Sequence, residues 1–157
     1  GDGSVAVLAG GTMGLPALES ARRLASEGID ATVVNCRFLK PYDRKLLEAI
    51  LLEHRGIVTL EEGTRVNGFG AFILQEAQSL ALGTIPPFDV HGLPDDFVEH
   101  GARDGLLADL GLDVDGISER IRAMAARATD QPGNASGKAG DSPGPADSLS
   151  SAMESAS

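Results

Sequence analysis

Gly10-Gly-Thr-Met-Gly14 and Glu61-Glu-Gly63 are two places in this 157-residue chain where residue type and spacing invite a chemical reading. A glycine-rich turn between a strand and a helix presents backbone N–H groups to a phosphate, as in the dinucleotide fingerprint G-x-G-x-x-G. Gly10, Gly11 and Gly14 do not keep that spacing, and the second strand ends in Asn35-Cys36 where a ribose-binding carboxylate belongs. The stretch around Thr12 is therefore expected to be a tight strand-to-helix turn. Glu61 and Glu62 end a strand, and consecutive strand residues point to opposite faces, so at most one carboxylate enters a given pocket. Asn67-Gly-Phe-Gly70 opens the next helix, and its free N–H groups suit an external anion or one of these carboxylates. The internal cap is preferred, and a ligand or partner-chain contact is the alternative. The candidate crevice or interface is Gly10, Gly11, Thr12, Glu62, Asn67, Gly68 and His100.

Other tempting groups lead nowhere. Gly1-Asp-Gly3 followed by Asn35 imitates the Mg²⁺ and diphosphate motif of thiamine-diphosphate enzymes. In that motif both elements sit at the carboxyl ends of strands, whereas here the first precedes its strand. Strands of about six residues at ~3.3 Å each separate the two by roughly 20 Å, far beyond a ~2.1 Å Mg²⁺–oxygen bond. His54, His91 and His100 have no metal-ligand spacing. His54 ends a helix, where it complements the dipole. Cys36 is the only cysteine, so no disulfide forms within the chain, and it reads as a small buried residue rather than a nucleophile. Ser4, Ser20 and Ser26 lie in no nucleophile elbow. No catalytic, cofactor-binding or metal-ligating residue is expected.

The elements that carry these residues alternate. Val5–Gly10, Ala31–Val34, Ile57–Leu60 and Phe88–His91 read as strands, the last edge-like because Pro86 and Pro87 precede it. Between them lie a helix with Pro16 in its first turn and Leu15, Leu18, Ala21 and Leu24 or Ala25 inward, and one capped by Asp43 with Leu46, Leu47, Ile50 and Leu51 inward and stopped by Gly56. A third has Phe69, Phe72, Ile73, Ala77 and Leu80 inward. A short helix around Leu106, Leu107 and Leu110 precedes a last one, capped by Asp113, with Val114, Ile117, Ile121 and Met124 on one stripe. This alternation predicts an α/β fold, a mostly parallel open sheet between two helical layers. Residues 1–128 form the domain. Residues 129–157 are Gly, Ser, Ala and Pro-rich, too poor in large apolar residues to offset ordering entropy, and are expected to be a disordered tail.

Net charge is −10, which disfavours nucleic acid and anionic membranes as partners. No run approaches the roughly 20 apolar residues of a membrane helix, and the N-terminus has no signal-peptide pattern, so a cytoplasmic setting is expected. A start at Gly1 without Met suits a fragment or processed product.

Several segments resemble the C-terminal (third) domain of the 1-deoxy-D-xylulose-5-phosphate synthase family. They are Ala31-Thr-Val-Val-Asn-Cys-Arg-Phe-Leu-Lys-Pro41, Val58-Thr-Leu-Glu-Glu-Gly63, Asn67-Gly-Phe-Gly70, Gly92-Leu-Pro-Asp-Asp-Phe-Val-Glu-His-Gly101 and Leu106-Leu-Ala-Asp-Leu-Gly-Leu-Asp-Val-Asp-Gly-Ile117. The resemblance runs from about Val5 to about Ile121. Its first half is shared across transketolase-like C-terminal domains, and the two last segments favour the synthase. It implies a transketolase C-terminal-domain-like fold whose antiparallel N-terminal edge strand would precede Gly1. It also implies a homodimeric thiamine-diphosphate and Mg²⁺ enzyme that condenses pyruvate with glyceraldehyde 3-phosphate and releases CO₂, for isoprenoid and thiamine synthesis. The cofactors would be held by upstream domains, so none is expected on this chain alone, whose part is packing and dimer support. Two alternatives stay open. One is the C-terminal part of a transketolase or of a 2-oxoacid dehydrogenase β subunit. The other is a non-catalytic module for a small phosphorylated ligand or for interaction.

Overall fold

The computed structural model describes residues 5–37, 41–80, 82–95 and 102–129. Four parallel strands, β1 (Val5–Gly10), β2 (Ala31–Cys36), β3 (Gly56–Thr64) and β4 (Phe88–Leu93), pair in the order β2-β1-β3-β4. Between and after them run α1 (Gly14–Ala25), α2 (Arg44–Glu53), α3 (Phe69–Ser79), α4 (Arg103–Asp109) and α5 (Val114–Thr129). The expected α/β/α architecture is observed. β1 and β3 are the central strands, and every one of the six residues of β1 is buried, as a strand covered on both faces must be. β4 is an edge strand.

Side-chain alternation splits the core in two. Val5, Val7 and Ala9 of β1 face Ala17 and Leu24 of α1 and Ile117, Ile121 and Met124 of α5. Ala6 and Leu8 face Leu47, Ile50 and Leu51 of α2 and Phe69, Ile73 and Ala77 of α3. Right-handed crossovers require this arrangement, because the chain moves one way from β1 to β2 and the other way from β2 to β3. The reversal leaves a switch point between the carboxyl ends of β1 and β3.

Several local expectations are corrected. Leu15 is 65% exposed and Leu18 also faces outward; the buried stripe of α1 is Ala17, Ser20, Ala21 and Leu24. Small residues on that stripe bring α1 close to α5, and Ser20 Oγ donates to the Val114 carbonyl across the contact. Leu46 is likewise exposed, while Leu47, Ile50 and Leu51 are buried. Gly56 does not stop α2, which ends at Glu53 with His54 as its cap; Gly56 is the first residue of β3. A Cβ there would lie 2.6 Å from Met124 Cγ, so its lack of a side chain lets α5 rest on the strand. β2, β3 and β4 run on past their expected ends, and α5 continues through Thr129. The Asp43 and Asp113 caps form as expected, accepting from the Leu46 N–H at 3.0 Å and the Gly116 N–H at 2.9 Å.

Candidate functional site

The switch-point crevice is built from the ends of β1 and β3. Gly10 closes β1, and a Cβ there would sit 3.3 Å from the Phe69 ring, so the glycine admits α3. Gly11 has φ +60°, a left-handed conformation that favours glycine. These two demands account for the glycine-rich turn, with no phosphate needed to explain it.

Glu61 and Glu62 separate as strand alternation dictates. Glu61 points to the α2/α3 face, is 7% exposed, and accepts from the N–H groups of Phe69 at 2.8 Å and Gly70 at 2.9 Å. Its carboxylate satisfies two of the orphan donors of α3 and sits at the positive end of that helix dipole. Gly63 and Gly92 wall it in: a Cβ on either would come within 3.0 Å and 2.8 Å of the Glu61 side chain. Gly68 approaches it more closely still, and Asn67 makes the preceding turn with φ 57°. The anion-receptive start of α3 is thus filled by the protein itself.

Glu62 points to the other face, across the crevice. It accepts from Thr12 Oγ1 and from Arg103 Nε at 2.7 Å, and an Arg103 terminal nitrogen also reaches Thr12 Oγ1 at 3.4 Å. Arg103, then Thr12, hold the Glu62 carboxyl below the usual carboxylate range. This clasp ties the start of α4 to the β1–α1 turn and the end of β3. Arg103 escaped the sequence reading. One signal was present: a cation in the first turn of a helix opposes the dipole, so its charge wants a partner elsewhere.

Gly10, Gly11, Thr12 and Glu62 are therefore brought to one crevice, while Asn67 and Gly68 flank Glu61 on the opposite side of β3. His100 lies outside the described residues, as do Gly1-Asp-Gly3, Ser4 and the proposed tail from residue 130. His54 is structural. Its Nδ1–H donates to the Ile50 carbonyl at 3.0 Å, and Nε2 meets the Thr32 hydroxyl at 2.9 Å. His91, for which the sequence suggested no role, is 6% exposed and donates from Nε2 to the Gly111 carbonyl at 3.0 Å. Burial, then Arg120, push its pKa below the ordinary histidine value, so it is neutral near pH 7. Burial pushes the Cys36 thiol up to about 11, which removes the thiolate a nucleophile needs.

Among the described residues no three His, Cys, Asp or Glu side chains converge to hold a metal ion. No helix among them is long and apolar enough to cross a membrane.

The family profile described as "Transketolase, C-terminal domain" matches residues 2–117. A protein of Geobacter sulfurreducens named 1-deoxy-D-xylulose-5-phosphate synthase 2 is 43% identical over 129 residues, 81% of this chain and 20% of that protein. A protein of Methylibium petroleiphilum named 1-deoxy-D-xylulose-5-phosphate synthase is 45% identical over 117 residues, 74% of this chain and 17% of its own length. The chain thus spans about a fifth of the curated relatives it matches. A solved structure titled split gene transketolase, inactive beta4 tetramer, superposes with TM-score 0.72 at 30% identity, covering 80% of this chain and 40% of that one. A transketolase mutant from Pichia stipitis shares the fold at TM-score 0.57 and 19% identity.

Proposed function

The chain belongs to the transketolase C-terminal domain family, and from that premise we propose that it serves as the C-terminal domain of a 1-deoxy-D-xylulose-5-phosphate synthase. The observation that carries this reading is the identity of 40–45% with proteins of that name over 117–129 residues of this chain. The parent enzyme, on this reading, is a cytoplasmic homodimer that joins pyruvate to glyceraldehyde 3-phosphate with loss of CO₂. Thiamine diphosphate with Mg²⁺ supplies the carbanion chemistry when bound.

The described residues of this chain do not fit that cofactor. Glu61 is consumed by α3, Glu62 by Arg103 and Thr12, and no further carboxylate, imidazole or thiol joins them into a metal site. No catalytic step is assigned to them. The role left to the domain is to pack against the upstream domains and support the dimer. We place its boundary at the end of α5, with the residues after Thr129 as a tail. The 30% identity to a split-gene transketolase supports a second reading, the C-terminal part of a transketolase.

Two measurements test the assignment. Titration calorimetry of this chain with thiamine diphosphate and Mg²⁺ is expected to give no heat of binding. Tight Mg²⁺-dependent binding would place the cofactor site here after all. The enzyme that carries this domain is expected to release CO₂ only with both pyruvate and glyceraldehyde 3-phosphate. Turnover of ketose phosphates without pyruvate would favour the transketolase reading.

A further inference from the structure

By its own sequence α4 is a poor helix. Its seven residues are too few for stability in water without outside support. Gly105 sits inside it, where glycine is less favourable than alanine, and a Cβ there would meet nothing within 4 Å. Ala102 begins it without a side-chain cap. Arg103 sets a cation against the positive end of the dipole, offset in part by Asp104 in the same turn. None of its residues is buried.

What holds α4 therefore lies outside it. Leu107 and Leu110 rest half-buried on the core of β1, α1 and α5. Just beyond them Gly111 turns the chain with φ +66°, its carbonyl accepts from His91 Nε2 at 3.0 Å, and Leu112 is fully buried. That end is anchored. The other end is attached by Arg103, which donates to Glu62 at 2.7 Å and reaches Thr12 Oγ1 at 3.4 Å. The Arg103 side chain is 56% exposed and that of Glu62 30%, so water and salt compete for this contact.

We infer that α4 is a strap over the switch-point crevice, helical while the Glu62–Arg103–Thr12 clasp is closed and melting locally, with Gly111 as its hinge, when the clasp opens. A detached helix of this length does not persist, so release and melting are one event. Opening frees the Thr12 hydroxyl and the Glu62 carboxylate at the ends of β1 and β3. The sheet stays intact, because none of the buried core residues comes from α4. Units with so little buried surface open at a fraction of the cost of global unfolding. The inference concerns residues of this domain alone and stands apart from the synthase reading.

Native-state hydrogen exchange of this chain, followed by NMR, tests it. The Leu106 and Leu110 amides donate to the Ala102 and Leu106 carbonyls at 3.1 Å each and report on α4; the Val7 amide reports on the sheet. Leu106 and Leu110 are expected to be protected, to exchange faster than Val7, and to respond little to urea, since a local opening exposes little surface. Arg103→Met and Glu62→Gln are expected to speed them roughly fivefold. Arg103→Met is the sharper of the two, because removing a cation from the first turn favours the helix by itself. Gly105→Ala, which leaves the clasp in place, is expected to slow them roughly fivefold. Ile57→Val, in the core that stays folded on the far face of the sheet, is expected to speed Val7 by a similar factor of roughly five and to leave Leu106 and Leu110 unchanged. Circular dichroism confirms that each variant folds. Leu106 and Leu110 amides that are unprotected in the native chain, or that match Val7 in rate and urea response, would overturn the inference. So would unchanged α4 exchange in both clasp variants or in Gly105→Ala, or an Ile57→Val change that speeds all three amides alike.

Discussion

A carboxylate set against the first N–H groups of a helix meets donors that have no partner within the helix. Glu61 does this inside the core, where charge-assisted hydrogen bonds contribute about 1.5–3 kcal/mol each and an unmet buried donor costs a similar amount. Glu61→Gln turns one acceptor into a donor facing another donor, and is expected to lower stability by about 2 kcal/mol; Glu61→Ala, which strands both N–H groups, by about 3 kcal/mol. Urea unfolding checks both, with Glu62→Gln, at a half-buried ion pair, as the comparison that moves the midpoint less. The sequence predicted that the two carboxylates part company, because strand alternation is local. It left open which one turns inward, because that depends on where α3 lies. His91 adds a pH dependence. Its folded pKa is depressed by burial and by Arg120, so the unfolded chain binds the proton more readily. The stability from neutral His91 is full above its ordinary value, about 6.5, and is lost as pH falls from there through the folded pKa. His91→Gln keeps a donor for Gly111 without titrating, and is expected to flatten thermal stability against pH across that window. An unchanged slope would remove His91 as its source.

Elements were legible where the pattern was strong. The strands, the two aspartate caps and the inward stripes of α3 and α5 follow from periodicity and capping chemistry, and they stand in the structure with small shifts at their ends. α1 was misread because its leucines look like a core stripe. Their burial is decided by which side α5 occupies, and Ala17, Ser20 and Ala21 win that contact by being small. Gly56 was misread for a related reason. A glycine after a helix looks like a stop signal, and only the distant Met124 reveals that it is a clearance. Gly56→Ala is therefore expected to destabilise the domain by about 1–3 kcal/mol through overpacking. Combining it with Met124→Ala is expected to cost less than the sum of the two single changes, because each relieves the other. Additive costs in a double-mutant cycle would show that the two positions do not meet.

At the scale of the molecule, the sheet sets one helical pair against each face and gathers the helix starts at one edge, where the Glu62–Arg103–Thr12 clasp lies. The family and the α/β class were readable from the chain, since motif residues and hydrophobic period are properties of neighbours in sequence. The clasp between Glu62 and Arg103, 41 positions apart, was not. It joins residues far apart along the chain, and no local period records the order in which β2, β1, β3 and β4 lie side by side. By itself the sequence determined that this chain folds as a transketolase-type C-terminal domain and that Glu61 and Glu62 diverge. Only the tertiary structure decided that Glu61 locks α3 and that Glu62 clasps Arg103. Such contacts are set by packing across the sheet rather than along the chain.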